Sequence, residues 1–117
     1  MSRCYDIFIE IEGCDPERAE AVKAACSELW AFDADDFNES RTPAGALKLE
    51  ARAEGGLGAC VGERDFAMAL ARAVWLANAG FCGVETAMTC LEDLPREDYA
   101  FDDNDYADFV AETARIP

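Results

Sequence analysis

Carboxylates are the residues in this chain whose type and spacing could do chemistry. From Glu92 to Glu112, nine residues are Asp or Glu and one is basic. Within that run Asp102, Asp105, Asp108 and Glu112 are spaced by three, three and four residues, so a helix would line them up in one stripe. Ten residues of helix cover about 15 Å, and four charges over that length approach one strand of nucleic acid. A second acidic group, Asp33, Asp35 and Asp36, lies in residues 31–40, which contain four acids and no base.

Other chemistries fit less well. Asp103 and Asp105 could begin a Ca²⁺ loop, but Ala107 offers no side-chain oxygen at the next ligand position. Asp108 stands where such a loop needs glycine, so an EF-hand is rejected. The glycines at 56, 58 and 62 lie between a strand and a helix but do not match a phosphate loop, and no Lys-Ser or Lys-Thr follows. There are six cysteines, no Cys-x-x-Cys pair and no histidine. Zinc would need thiolates and carboxylates drawn from distant segments. Cys60 stands near a helix start, where the dipole could lower a thiol pKa, yet Glu63 and Asp65 oppose this and no histidine can act as base. No catalytic residue, metal or cofactor is therefore expected.

The elements that must position these acids follow from periodicity. Residues 4–12 alternate, with Tyr5, Ile7, Ile9 and Ile11 on one side, and predict a half-buried strand. Asp15-Pro16 starts a helix that runs to Trp30 with Val22, Cys26 and Leu29 in its stripe. Residues 31–39 are ambiguous, since Asp and Asn are poor strand formers, but Phe32, Ala34 and Phe37 could anchor an edge strand, and Ser40 to Gly45 reads as a turn. Residues 46–54 alternate cleanly as a strand, and Gly55 to Gly62 reads as a flexible connection. A helix spans Glu63 to Ala79 and ends at Gly80, and a strand returns from Val84 to Leu91. Pro95 then breaks the chain, and Asp102 or Asp103 caps a last helix bearing Tyr106, Phe109, Val110 and Thr113.

Right-handed crossovers and one hairpin turn this order into an α+β, ferredoxin-like βαββαβ sandwich. Four antiparallel strands in the order 4-1-3-2 are expected over residues 1–94, with residues 95–117 as an acidic helical extension packed on the same domain. The sheet face away from the helices is expected to be mixed in charge. In this arrangement Asp33–Asp36 and Glu92-Asp93 share one end of the sheet, roughly 14 Å apart.

The net charge is −15 over 117 residues. Direct binding to nucleic acid or to an anionic membrane is disfavoured by this charge, and a basic protein surface is the natural partner. No basic segment followed by an apolar one opens the chain, so a cytoplasmic protein with free thiols is expected. In composition and size the chain resembles phage-encoded inhibitors of bacterial defence, such as anti-CRISPR and anti-restriction proteins. The acidic runs at 33–39 and 92–112 carry that resemblance, which implies a nucleic-acid mimic that occupies a nucleic-acid-binding surface on its target.

The expected function is thus a non-enzymatic acidic binding protein. Asp33, Asp35, Asp36, Asp102, Asp103, Asp105, Asp108 and Glu112 would meet Lys or Arg of the partner. Tyr99, Phe101 and Tyr106 would serve as aromatic anchors beside them. The alternative is a small-molecule-sensing or regulatory module that forms a homodimer through the open sheet face.

Overall fold

The computed structural model describes residues 2–33, 36–58, 62–91 and 96–114. They form one antiparallel sheet and three α-helices. The elements are β1 (Ser2–Glu12), α1 (Ala19–Leu29), β2 (Asn38–Arg41), β3 (Leu47–Gly58), α2 (Glu63–Asn78), β4 (Gly83–Cys90), β5 (Arg96–Phe101) and α3 (Asp103–Ala114). A short 3-10 turn, Pro16–Arg18, leads into α1 and is capped by Asp15, whose side chain accepts from Glu17 N at 3.0 Å.

The sheet differs from the expected four-stranded ferredoxin-like arrangement in the order 4-1-3-2. It has five strands in the order β2-β3-β1-β4-β5. The added strand is Arg96–Phe101, expected within the helical extension. It pairs antiparallel with β4, with Val84 opposite Phe101 and Thr89 opposite Arg96. Its alternation was masked by charge: Tyr99 and Phe101 turn inward, Glu97 shares their side but stays exposed, and Arg96, Asp98 and Ala100 face out.

Two other boundaries moved. β2 occupies Asn38–Arg41, later than the expected edge strand, because Phe32 and Phe37 close on each other at 5.8 Å and anchor the loop before it. β3 continues through Gly55–Gly58 instead of dissolving into a connection, since β1 begins at Ser2 and pairs all the way down. Gly55 suits this place because Trp30 lies over it. A Cβ there would stand 2.9 Å from Trp30 Cζ2, and the indole Nε1 donates to Ala53 O at 3.0 Å.

β1 sits between β3 and β4 and supplies the centre of the core, with Tyr5, Ile7, Ile9 and Ile11 at 0 % exposure. α1 and α2 cover this face through Val22, Cys26, Leu70 and Val74. α2 ends in a Schellman pattern, with Ala79 N donating to Leu76 O and Gly80 N to Trp75 O, both at 3.3 Å. The left-handed residue is Ala79, φ 57°, one position before the glycine expected to end the helix.

α3 packs beside α2, on the helix side of the sheet. Trp75 of α2 is the hub: its ring lies 5.4 Å from Tyr106 and 5.8 Å from Phe109, and its Nε1 donates to Cys82 O at 2.9 Å. Arg72 pairs with Glu112 at 2.6 Å and sits 5.5 Å from the Phe109 ring centroid. No described helix covers the opposite face of the sheet.

Candidate functional site: an acidic trough on the open sheet face

The residues singled out in the acidic tail are largely occupied within the molecule. Asp102 caps α3, accepting from Asn104 N at 3.0 Å and Asp105 N at 3.1 Å, and Asp105 Oδ2 accepts in return from Asp102 N at 3.0 Å. This reciprocal pair is a capping box with Asp at its third position. The hydrogen bond from the Asp105 backbone, with others behind it, holds the Asp102 carboxyl below its ordinary value. Glu112 is paired with Arg72. Asp103 and Asp108 are exposed and carry no ion pair among the described residues.

The expected aromatic anchors turn inward. Phe101 is 3 % exposed, and Tyr106 packs on Trp75 and on Phe81, at 5.7 Å. Tyr99 is half-buried against the core, and that burial, followed by the charge of Glu63, raises its pKa.

Asp33 and Asp36 are exposed and close a local turn, with Asp36 Oδ2 accepting from Asp33 N at 2.9 Å. They precede β2, whereas Asp102 follows β5. Those strands form opposite edges, four strand spacings or about 19 Å apart. The two acidic groups therefore do not merge into one patch. Asp35, Cys60, Glu92 and Asp93 lie outside the described residues, and so does the shared end expected of Glu92-Asp93.

A different acidic cluster is built by the sheet itself. Because the side-chain period is two, the inward Ile9 and Ile11 force Glu10 and Glu12 outward. On β3 the inward Leu49 and Ala51 do the same to Lys48, Glu50 and Arg52. On β4 the inward Val84 and Thr86 leave Glu85 and Ala87 outward. The pairing then puts Glu50, Glu10 and Glu85 in a row across three adjacent strands, with Asn38 and Ala100 at its two ends. Directly opposed side chains in such rows have Cβ atoms about 5 Å apart, and like charges there are destabilising.

The open face holds Asp6, Glu10, Glu12, Glu50, Glu54, Glu85 and Asp98 against Lys48, Arg52 and Arg96, seven acids to three bases. It is more acidic than the mixed face expected. The three bases are all committed. Lys48 reaches Glu10 at 2.6 Å and Glu50 at 3.6 Å, and the Glu10 contact is the main reason its pKa is raised. Arg52 pairs with Asp6, and Arg96 with Asp98 at 2.7 Å. Glu12, Glu85 and Asp102 keep no cation among the described residues.

These side chains flank a trough that follows β4. Gly83, Ala87 and Thr89 are small, so the outward surface of β4 is low between β1 and β5. At one end a groove of about 310 Å³ is bordered by Glu10, Glu12, Glu85 and Asp102, with Phe81 and Phe101 beside them. A groove of about 270 Å³ continues past Phe8, Ala87, Asp98 and Ala100. From the Asp6 row to the Glu12 row is six residues, or about 20 Å. The trough was missed in the sequence because Glu10 and Glu85 look like ordinary solvent-facing positions. The parity of β1 and β4 was the available signal, and only the pairing register makes a row of it.

No group of three His, Cys, Asp or Glu among the described residues is arranged to hold a metal ion. Burial pushes the Cys26 and Cys82 thiols up to about 12, far from a nucleophile's range. No described helix is long and apolar enough to cross a membrane. No protein-family model, curated protein or solved structure matches the chain. Fold and site together define an α+β domain with one helix-covered sheet face and one open, acidic, grooved face.

Proposed function

We propose that the protein is a non-enzymatic binding protein whose acidic trough receives a basic segment of another protein. One observation carries this. Glu10, Glu12, Glu85 and Asp102 border a single groove, and among the described residues their charges are balanced only by a Lys48 shared with Glu50. A sheet holding like charges side by side gives up stability for no folding benefit, and such departures from local rules are expected at functional sites. A trough about 20 Å long suits an extended segment of about six residues. Lysine or arginine stems would lie along Phe81, Phe8 and Ala87, with their heads at the carboxylates. The partner class that follows is a basic surface, and the resemblance to phage-encoded inhibitors makes a nucleic-acid-binding surface the first to test. Two copies meeting through this face would oppose seven acids to seven, so a face-to-face homodimer is not favoured.

The test compares two variants that remove the same charge. One is Glu12→Gln/Glu85→Gln/Asp102→Asn in the trough. The other is Glu17→Gln/Glu28→Gln/Asp65→Asn on the helical side. Binding of a lysine-rich peptide, and displacement of duplex DNA from a defined DNA-binding protein, are measured at low and moderate salt. The trough variant is expected to lose about tenfold or more in affinity and the control about twofold or less. Equal losses in the two would show that only bulk charge acts, and the trough would have no role.

A further inference from the structure

The other end of the trough has a different chemistry. Asp6, Thr89 and Arg96 form one row across β1, β4 and β5 on the open face. Asp6 is 7 % exposed. Its Oδ2 accepts from Arg52 Nε at 2.7 Å. Its Oδ1 is buried with no hydrogen-bond partner among the described residues. Buried carboxylate oxygens are almost always satisfied, so this one, at the edge of a groove, is an acceptor still lacking a donor among the described residues. The groove, about 220 Å³, is bordered by Asp6, Phe8, Arg52, Ala87, Thr89 and Arg96. Arg96 gives its Nε to Asp98, and its Nη amines make no hydrogen bond among the described residues.

We propose that this end of the trough is a binding site for a small zwitterion of the α-amino-acid class, held between Asp6 and Arg96. The ammonium donates to Asp6 Oδ1. The carboxylate accepts from the Arg96 guanidinium, which forks to match it. The side chain lies on Phe8 and Ala87. Asp6 and Arg96 start two strand spacings apart, about 10 Å, and a short aspartate facing a long arginine leaves room for a bridging molecule between them. A water takes about 30 Å³ of liquid, so the groove holds the volume of about seven, enough for a small or medium amino acid. Arg52 and Arg96 side chains are 72 % and 62 % exposed and can swing aside to admit it.

Charge selects the class. An anion is opposed by the net charge of −15 and by the glutamates further along the trough. A cation is opposed by Arg52 and Arg96 and finds better company at Glu12 and Glu85. A molecule carrying both charges close together satisfies the orphan acceptor and the spare donors at once. The site shares Phe8 and Ala87 with the docking trough, but Asp6 and Arg96, which hold the zwitterion, are not among the carboxylates that receive the basic segment.

The experiment uses the full chain labelled with ¹⁵N and titrated with free L-alanine, L-serine and L-leucine. Methylamine and acetate serve as the two half-probes. At least one amino acid is expected to shift the Phe8, Ala87 and Thr89 amides and to saturate with Kd below about 10 mM, while each half-probe binds at least about tenfold more weakly. Asp6→Asn and Arg96→Gln are each expected to weaken binding about tenfold or more. Arg96 is exposed, so Arg96→Gln keeps the fold and decides the matter if Asp6→Asn does not. Absence of any shift, binding of methylamine as tight as that of the amino acids, or wild-type affinity in Arg96→Gln would each overturn the proposal.

Discussion

Glu10 and Glu85 stand directly opposite each other on β1 and β4, and only Glu10 has a lysine. Two carboxylates in that relation repel, and nothing in the fold requires the second. Glu85→Gln is therefore expected to stabilise the protein by about 0.2–1 kcal/mol. A urea melt with an unchanged slope and a higher midpoint would show it. The same variant should bind a lysine-rich peptide less well, so stability and binding should move in opposite directions.

Trp30 fills the space that a side chain at position 55 would need. Gly55→Ala forces the indole to shift and puts its hydrogen bond to Ala53 O at risk. A loss of about 1–3 kcal/mol is expected, typical of overpacking. Thermal unfolding checks it, and Trp30 fluorescence should change with it. A wild-type melting temperature would mean that the ring yields freely.

Ala79 holds a left-handed conformation that costs an L-residue with a Cβ about 1–2 kcal/mol. Ala79→Gly removes the strain but adds freedom to the unfolded chain, worth about 0.5–1 kcal/mol. The net expectation is a gain of up to about 1 kcal/mol, read as a rise in melting temperature. A fall would indicate that the Ala79 methyl packs favourably.

Asp102 links α3 to pH. The backbone hydrogen bond from Asp105 leads the interactions that hold its carboxyl below the ordinary 3.8. A folded value below the unfolded one means that the stabilisation is complete above 3.8 and fades as pH falls through the folded value. Amide protection across Asp103–Ala114 should therefore decline in acid before that of β1. Asp102→Asn keeps a capping side chain and should flatten this dependence. An unaltered pH profile in that variant would assign it to another carboxylate.

Thiol accessibility separates the cysteines. Cys4 is exposed, whereas Cys26 and Cys82 are buried with thiols pushed up to about 12 by desolvation. Iodoacetamide at neutral pH should label Cys4 rapidly and leave Cys26 and Cys82 untouched until the chain unfolds. Labelling of Cys82 at the rate of Cys4 would mean that the loop between α2 and β4 opens in the folded protein.

Much of the fold could be read from alternation and capping. Tyr5, Ile7, Ile9 and Ile11 alternate without interruption, and Asp15-Pro16 fixes a helix start, so β1 and α1 emerge from local pattern alone. Arg96–Phe101 does not, because β4 decides its state: a charged hexapeptide becomes a strand when an open edge offers backbone partners. The glycines at 55–58 mislead for the same reason, since pairing with β1 outweighs their freedom. The acidic tail was the loudest signal, and several of its residues are used within the fold. Asp102 and Asp105 serve the helix end, Glu112 serves Arg72, and Tyr106 serves Trp75. Glu10 and Glu85 were silent because a row across strands exists only in the paired sheet.

The central place of β1 also bears on how the protein is made. Its Tyr5 is joined to Gly55 on one side and to Cys90 on the other. Synthesis delivers β1 first, yet its second edge waits until the chain has grown past Cys90. Throughout that interval a strand rich in isoleucine has an unsealed flank, and contacts so distant in sequence form slowly. The nascent chain is thus most prone to aggregate before β4 emerges, when only the acids ahead of Gly83 are present to hold neighbouring chains apart.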